Sequence, residues 1–436
     1  MKRVKYLIFL ILLSIMFVNM TYASSYLTYD KDYTCGDKTI NDLISYDNGY
    51  IILTGDEDNT YLTTNDMNNN TIATKQFSDL INSQIIKFND EFLLAGVSGN
   101  VISLYKINSN LQISTSKETD IFETDYEINL YSYEDKIYLA LLEDNQLLNN
   151  NLYEIDNSLN VIEKRLSSFD SNQLKNILHS DYFLIHNNGT QTDNKISYYL
   201  DSTYTEQYNI LVGLEEDELF NTNALLQVYD NNGNEIWKIT SDDYTMFIDT
   251  IVVNNKIVVI AENNSSSTLL IYDFEKNILE ELDINKENFD IALVEKINNK
   301  IALVYNNFMI ENNNAVAASM ISFYDYTSYI YINETIYGSI DIAKTAIPST
   351  LVPLNITPNS GYEIKDIIIK DEQGNIIPVN NLQFKMPASD VYITINLEPI
   401  VINPDTGDIA IILLIFSSFI ILFILIKFYI KYSWLR

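Results

Sequence analysis

Apolar residues in this chain come in short bursts. Tyr, Ile, Val, Leu and Phe recur in runs of four to seven, separated by Asn, Asp, Gly and Ser. That texture predicts strands and tight turns, with scarcely any sustained 3.6-residue periodicity. One unit repeats loosely: a strand, a two-residue polar turn, a second strand, a polar loop, a third strand ending in Tyr-Asp or a variant, then a fourth strand. Leu43–Tyr46, Asp47-Asn48-Gly49 and Tyr50–Leu53 form one such hairpin, its Asn-Gly suited to the positive φ of a tight turn. Copies follow at Ile85–Ala95, Ile128–Leu142, Ile251–Ala261 and Leu293–Tyr305.

Turn centres near 48, 90, 135, 181, 254 and 298 are spaced by 42, 45, 46, 73 and 44 residues. A period in the low forties with four strands per unit is that of a propeller blade. The 73-residue interval is too long for one blade and short for two. It holds Leu225–Asp230 and Glu235–Ile239, which read as the outer two strands of a blade. The chain is thus expected to be all-β, with a six- or seven-bladed β-propeller over 26–327. Stacked β-sandwiches and a β-solenoid are the competing architectures. Tyr229 to Lys238, Y-D-N-N-G-N-E-I-W-K, resembles the blade signature of quinoprotein-type propellers, once.

Residues 329–400 have a different pattern. Pro358 and Gly361 frame a turn, Gln373-Gly374-Asn375 marks a hairpin tip, and the alternation Val391, Ile393, Ile395, Leu397 predicts a half-buried strand. With G-S-I at 338–340, T-P-N-S-G-Y-E-I at 357–364 and F-K-M-P-A-S-D-V-Y-I-T-I at 384–395, this segment resembles the divergent internalin B-type repeat of Gram-positive surface proteins. The resemblance implies a small β-rich spacer or adhesive module near an anchor, without a catalytic role.

Both ends read as addresses. Lys2, Arg3 and Lys5 precede an apolar stretch, Tyr6–Val18, and Thr21-Tyr22-Ala23 offers small residues for cleavage after Ala23. Residues 1–23 are therefore expected to be a signal peptide, with an uncleaved signal anchor as the alternative. At the other end, eighteen uncharged residues from Ile409 to Ile426 suit one membrane-crossing helix, expected over 409–430. Lys427, Lys431 and Arg436 behind it put the tail, 431–436, in the cytoplasm and the preceding chain outside. Just before the helix stand Asn403, Pro404, Asp405, Thr406 and Gly407, within 403–408. This N-P-D-T-G resembles the L-P-x-T-G sorting signal of Gram-positive surface proteins, with Asn403 where that family has Leu. The resemblance implies a sortase cut between Thr406 and Gly407 and attachment of Thr406 to the cell wall; plain membrane retention is the alternative.

Charge narrows the partners. Outside the three basic residues at each end, 21 basic residues face 59 acidic ones, a net charge of −38 over 24–408. Such a surface repels nucleic acid and anionic lipid, and suits divalent cations or basic protein surfaces. Cys35 is the sole cysteine, so no intramolecular disulfide forms.

Candidate chemistry is sparse. His179 and His186, read as flanking a hairpin at Ser180-Asp181, are the only histidines. No P-loop, G-x-S-x-G, H-E-x-x-H or G-x-G-x-x-G motif is present. The acidic groups Asp56-Glu57-Asp58, Glu215-Glu216-Asp217-Glu218 and Asp242-Asp243, and the segment Asp230 to Glu235, are candidate calcium ligands, read chiefly as solvated turns. No other cofactor is expected. The expectation is a surface-anchored extracellular binding protein or adhesin for a protein or glycan ligand, not an enzyme. A platform subunit of an envelope complex is the alternative, and a propeller glycoside hydrolase a further one.

Overall fold

Strand pairing closes the first part of the chain into a ring. The computed structural model describes residues 26–47, 49–56, 58–119, 127–133, 136–143, 146–147, 151–187, 189–192, 195–263, 266–298, 300–311, 314–333, 337–400 and 406–433. The expected signal peptide with Ala23, and Asn403, Pro404 and Asp405, lie outside these residues. Two compact units divide the chain: Met1–Ile330 with Lys344–Thr350 and Lys385–Val391, and Tyr331–Ala343 with Leu351–Phe384 and Tyr392–Arg436.

The first unit is a propeller of six antiparallel blades among the described residues. Its first strand in sequence is β1 (Leu27–Gly36). Blade 1 holds β2 (Thr39–Tyr46), β3 (Gly49–Gly55), β4 (Asn59–Asp66) and β5 (Thr71–Ser78). Blade 2 holds β6 (Ile81–Phe88), β7 (Glu91–Ser98), β8 (Val101–Ile107) and β9 (Ile113–Thr119). Blade 3 holds β10 (Glu127–Tyr133), β11 (Lys136–Glu143), the short β12 (Gln146–Leu147), β13 (Asn151–Ile155) and β14 (Val161–Arg165). After helices α1 (Ser171–Leu178) and α2 (Ser180–Asn187) comes blade 4: β15 (Thr190–Thr192), β16 (Lys195–Tyr204), β17 (Tyr208–Asp217), β18 (Thr222–Asp230) and β19 (Glu235–Ser241). Blade 5 holds β20 (Met246–Val253), β21 (Lys256–Asn263), β22 (Ser266–Tyr272) and β23 (Ile278–Asp283). Blade 6 is β24 (Asp290–Ile297), β25 (Lys300–Glu311) and β26 (Asn314–Tyr326), completed by β1. The first strands β2, β6, β10, β16, β20 and β24 surround the axis.

Two local devices set this repeat. Asn residues take the left-handed backbone at inner hairpins, as at Asn89, Asn254 and Asn298, where a short polar side chain tolerates it. A five-residue turn then joins the third and fourth strands of blades 1 to 5. In Asp230-Asn231-Asn232-Gly233-Asn234, Asp230 Oδ1 accepts the amides of Asn232 and Asn234, both at 2.8 Å, and Oδ2 accepts Asn234 Nδ2 at 2.8 Å. Asp66, Asp156 and Asp273 repeat these bonds, and Asn108 repeats the amide pair in blade 2. Blade 6 has no such turn because its fourth strand arrives from the other end of the chain.

The interval near 181 is a correction. No hairpin stands at Ser180-Asp181; α1 and α2 meet there, and the inner hairpin of blade 4 lies at Thr205–Gln207. Asp170 caps α1 through a reciprocal box, Asp170 Oδ1 accepting Gln173 N at 2.8 Å and Gln173 Oε1 accepting Asp170 N at 3.0 Å. The helix pair fills the space where blades 3 and 4 would otherwise pack sheet on sheet. Ile177 and Leu178 enter a cluster with Tyr131, Tyr138, Ala140 and Leu152 of blade 3, while Tyr182 and Ile185 pack on Tyr199, Leu211 and Leu225 of blade 4. Elsewhere adjacent blades share continuous aliphatic cores.

Packing is tight enough to test by one methyl group. A Cβ added at Gly213, in β17, would sit 1.9 Å from the Tyr198 carbonyl oxygen of β16. Gly213→Ala is expected to destabilise the propeller by about 2 kcal/mol, read as a lower urea midpoint with an unchanged slope.

The second unit is also β-rich. Gly338–Asp341 pairs antiparallel with Asn355–Pro358, and Tyr362–Asp371 lies beside Val391–Pro399. In that last strand Ile393 and Ile395 are buried while Tyr392 is exposed, the expected half-buried alternation. Helix α3 (Thr406–Ser433) follows. Its segment Ile411–Tyr429 has a mean hydropathy of 2.9, long and apolar enough to cross a membrane.

Candidate functional site

Inner strands carry polar side chains at one repeated position. A bulge precedes Asp42 in β2, Gln84 in β6, Asp201 in β16 and Asp249 in β20. Each bulge turns the next side chain toward the following blade. Gln84 Oε1 accepts Leu130 N, Asp201 Oδ2 accepts Thr250 N at 3.0 Å, and Asp249 Oδ2 accepts Val294 N at 2.6 Å. Asp42 accepts from Ile85 N in the same way. These are latches from one blade to the next. Blade 6 has Leu293 at that position, and Asn306 bonds both backbone groups of Ile40 instead, at 2.9 and 3.0 Å. Between blades 3 and 4 the latch is Asp181 of α2, whose carboxylate accepts from Tyr131 Oη at 2.9 Å and from Ser202 Oγ.

This arrangement concentrates acid at the axis. Burial pushes Asp42 up to about 7, its bonds to backbone amides only partly opposing it. Burial likewise pushes Asp249 up to about 7 and Asp201 well above the carboxylate range, the two carboxyls hydrogen-bonding to each other. Glu295 rises to about 8, through burial first and then the charges of Asp42 and Asp201. All four carboxyls are thus raised, and those of Asp42, Asp201 and Asp249 are occupied in holding one blade to the next.

A groove suited to a ligand lies elsewhere. Tyr133 at the end of β10, Lys175, Asn176 and His179 of α1, Tyr204–Glu206 at the β16–β17 turn, Asn209 of β17 and Asn231 surround a cavity of 230 Å³. His179 ends α1 with φ +50 and stacks on Tyr204, ring centroids 3.9 Å apart and planes 2° from parallel. Tyr204 remains 51 % exposed, leaving ring surface for a ligand. Burial lowers the His179 pKa, so the ring is a neutral aromatic at pH 7. Asn209 is buried, and its Nδ2 donates to Asn231 Oδ1 at 3.1 Å; Asn231 Nδ2 donates to the Glu206 carbonyl at 2.6 Å. Lys175 Nζ, 2.9 Å from the Asn232 carbonyl, brings a positive charge to the rim. Ring faces, amides, one cation and one carboxylate can hold a small polar ligand by stacking and hydrogen bonds.

The sequence-predicted residues fall out as follows. His179 lines this groove and His186 falls in α2, not on strands. Asp230 to Asn234 form the outer turn of blade 4, in which both Asp230 oxygens accept bonds from their own loop, Asn234 first among them, and the Asp230 pKa is held low. Glu215 is buried between Lys195 (2.7 Å) and Lys238 (2.6 Å). Asp56 accepts from Asp58 N, Asn59 and Tyr61 Oη. Asp242 and Asp243 are exposed. Among the described residues no group of three His, Cys, Asp or Glu side chains converges to hold a metal ion. Cys35 packs at the blade 6–blade 1 core, where burial pushes its thiol up to about 12. Thr406 and Gly407 begin α3. Lys175, Tyr204 and Asn209 were not foreseen; Tyr204 and Asn209 face each other across the β16–β17 pairing, and α1 brings Lys175 to them.

No protein-family model matches the sequence, and no curated protein matches it. Solved structures do resemble it. The WD40 domain of Toxoplasma gondii coronin aligns over 69 % of this chain and 88 % of its own at 7 % identity, TM-score 0.34. The polysaccharide lyase Uly1 aligns over 70 % and 94 % at 9 % identity, TM-score 0.39. The AfRom2 CNH domain aligns over 67 % and 98 % at 12 % identity, TM-score 0.33. The chain is an all-β propeller protein with one C-terminal apolar helix.

Proposed function

We propose that this chain is a surface-anchored, non-catalytic binding protein whose propeller faces the outside of the cell and takes a small glycan or peptide unit in the groove beside α1. The observation that carries the reading is the exposed Tyr204 ring, backed by His179 and ringed by Lys175, Asn209 and Asn231. A cavity of 230 Å³ is smaller than the roughly 300–1,000 Å³ typical of whole-ligand pockets, which favours recognition of one ring or side chain of a larger molecule. Helix α3 and the basic tail support anchorage, with residues 329–400 as a spacer. Covalent wall attachment at Thr406 by a sortase is part of the same proposal, and fractionation of cells with and without sortase tests it.

The detergent-solubilised full-length protein on glycan and peptide arrays is the direct test. Tyr204→Ala should weaken the bound ligand about tenfold, roughly 1.4 kcal/mol of lost stacking and burial, with the melting temperature unchanged. Equal binding by both proteins would remove the groove from the reading. External protease that left residues 24–400 whole on intact cells would reverse the orientation.

A further inference from the structure

The turn between β17 and β18 has the architecture of the blades' outer turns but uses its side chains in the opposite way. Asp217 Oδ1 accepts the amides of Leu219 (2.8 Å) and Asn221 (2.9 Å), and Oδ2 accepts Asn221 Nδ2 (2.9 Å). Phe220 N donates to the Asp217 carbonyl at 3.0 Å. The fourth residue of this turn must adopt the left-handed backbone: Phe220 has φ +63, as Leu111 (+57) and Leu159 (+59) do in blades 2 and 3. That conformation costs a residue with a side chain about 1 kcal/mol or more. Asn69 and Gly233 avoid most of the cost at the same position in blades 1 and 4, and Lys276 (+74) bears it in blade 5 with its ammonium 5.8 Å from the Trp237 ring centroid. Leu111 and Leu159 offset it by burial, being 4 % and 0 % exposed inside the inter-blade cores.

Phe220 has no such compensation within the described residues. It is 81 % exposed, and Leu219 beside it is 79 % exposed. A single exposed apolar residue is ordinary. Two large ones at the tip of a hydrogen-bonded turn, one of them on an unfavourable backbone, are a displayed pair. Their surroundings are negative: Glu216, Asp217 and Glu218 adjoin the tip, while Lys195, opposite Asp217, is bonded to Glu215, as is Lys238.

We infer that the Leu219–Phe220 tip is a docking anchor for a second protein that offers an apolar pocket rimmed by Lys or Arg. Burying two large side chains is a hot-spot arrangement, and a basic rim meets the acidic collar. A lipid surface fits less well, since anionic headgroups repel the collar. A second copy would bring another molecule of charge −32 against the first. The tip lies beyond the other end of β17 from Asn209 of the groove; Asp217, where its turn begins, is eight residues and about 26 Å along the strand from Asn209. Partner and groove ligand can therefore be held together, and failure at one site leaves the other intact.

A benzophenone amino acid placed at position 220 of the full-length protein, irradiated on intact cells, tests this. The expected result is a cross-link to one other protein. Purified, that protein should bind the solubilised chain with an affinity that falls as salt rises and at least tenfold more weakly to Phe220→Gly. Phe220→Gly should itself melt no lower than wild type, because relief of the left-handed backbone offsets the larger unfolded-state entropy of glycine. A lower melting temperature would assign Phe220 to the fold instead. Cross-linking only to a second copy, binding only to phosphatidylcholine vesicles, or no adduct would each overturn the proposal.

Discussion

Glu295→Gln is expected to stabilise the propeller at pH 8 and to do little at pH 4. Glu295 reaches toward Asp42 and Asp201, and its folded-state pKa of about 8 stands well above that of an unfolded glutamate. A carboxyl group raised in this way keeps its proton in the folded state while the unfolded chain has already released it. Its contribution is fully present below the unfolded value near 4 and is lost as pH rises through 7 to 8. Asp42 and Asp249, both near 7, and Asp201, also raised, act in the same direction over the same window. Stability should therefore decline from pH 5 to pH 8.

The groups facing this cluster sharpen the test. Asp181 of α2 approaches Asp201 from between blades 3 and 4 and is itself raised by burial, with Tyr131 and Ser202 bonded to it and His179 the nearest base. Glutamine keeps an oxygen for Lys296 N, the amide bonded to Glu295 at 3.2 Å, and removes the charge. A gain of about 3 kcal/mol at pH 8 is the scale set by 1.36 kcal/mol per pKa unit, reduced for partial water access along the axis. In melting temperature that is roughly 5 °C. Parallel curves for wild type and Glu295→Gln from pH 4 to 8 would show that the charge is solvated after all. Below pH 4 another set of groups takes over. The turn carboxylates Asp66, Asp156, Asp217, Asp230 and Asp371 have lowered pKa values, through side-chain bonds from Asn70, Asn160, Asn221, Asn234 and Asn375, so their contribution disappears in acid. The two sets together place the optimum in mildly acidic solution.

How much of this was legible depends on the range of the interaction. Asn254-Asn255 announced a hairpin because a positive φ is a property of the residue itself, and both adopt it. Tyr-Asp at the end of third strands marked the outer turns for the same reason: Asp and Asn four apart bond to one another without outside help. The helix pair also left a signal. Leu174, Ile177, Leu178, Tyr182 and Ile185 follow helical spacing, and Asp170 with Gln173 is a capping box. It was overridden because each helix has only eight residues and His179 breaks the period between them. The groove could not be read at all. Its walls come from positions 133, 175, 176, 179, 204–206, 209 and 231, and only the helix pair brings 175–179 to the β16–β17 turn. The axial carboxylates look like ordinary polar strand residues until bulges aim them at the next blade.

Deleting residues 26–36 is expected to abolish cooperative folding of the propeller. Strand β1 pairs with β26 from Leu27↔Tyr326 to Gly36↔Ser319 and so supplies the fourth strand of blade 6. The contacts that hold it in place are distant in sequence. Asp32 accepts from Ser322 Oγ at 2.5 Å and pairs with Lys286 at 3.1 Å; Lys300 bridges Asp30 and Asp325 at 3.1 and 2.5 Å. Tyr26 and Leu27 also bury their side chains in the core between blades 5 and 6. Without β1 the long strand β26 becomes a bare edge, an aggregation hazard, and the ring loses the pairing that ties its two ends. Closure across roughly 290 residues carries a large loop entropy and is satisfied late in folding. The shortened protein should show no sharp thermal transition. A synthetic peptide of residues 26–36 added in trans should restore one, with a midpoint that rises with peptide concentration because it binds only the folded ring. A shortened protein that melts like the intact chain would mean that blade 6 stands on three strands and that the ring is held by its axial latches alone.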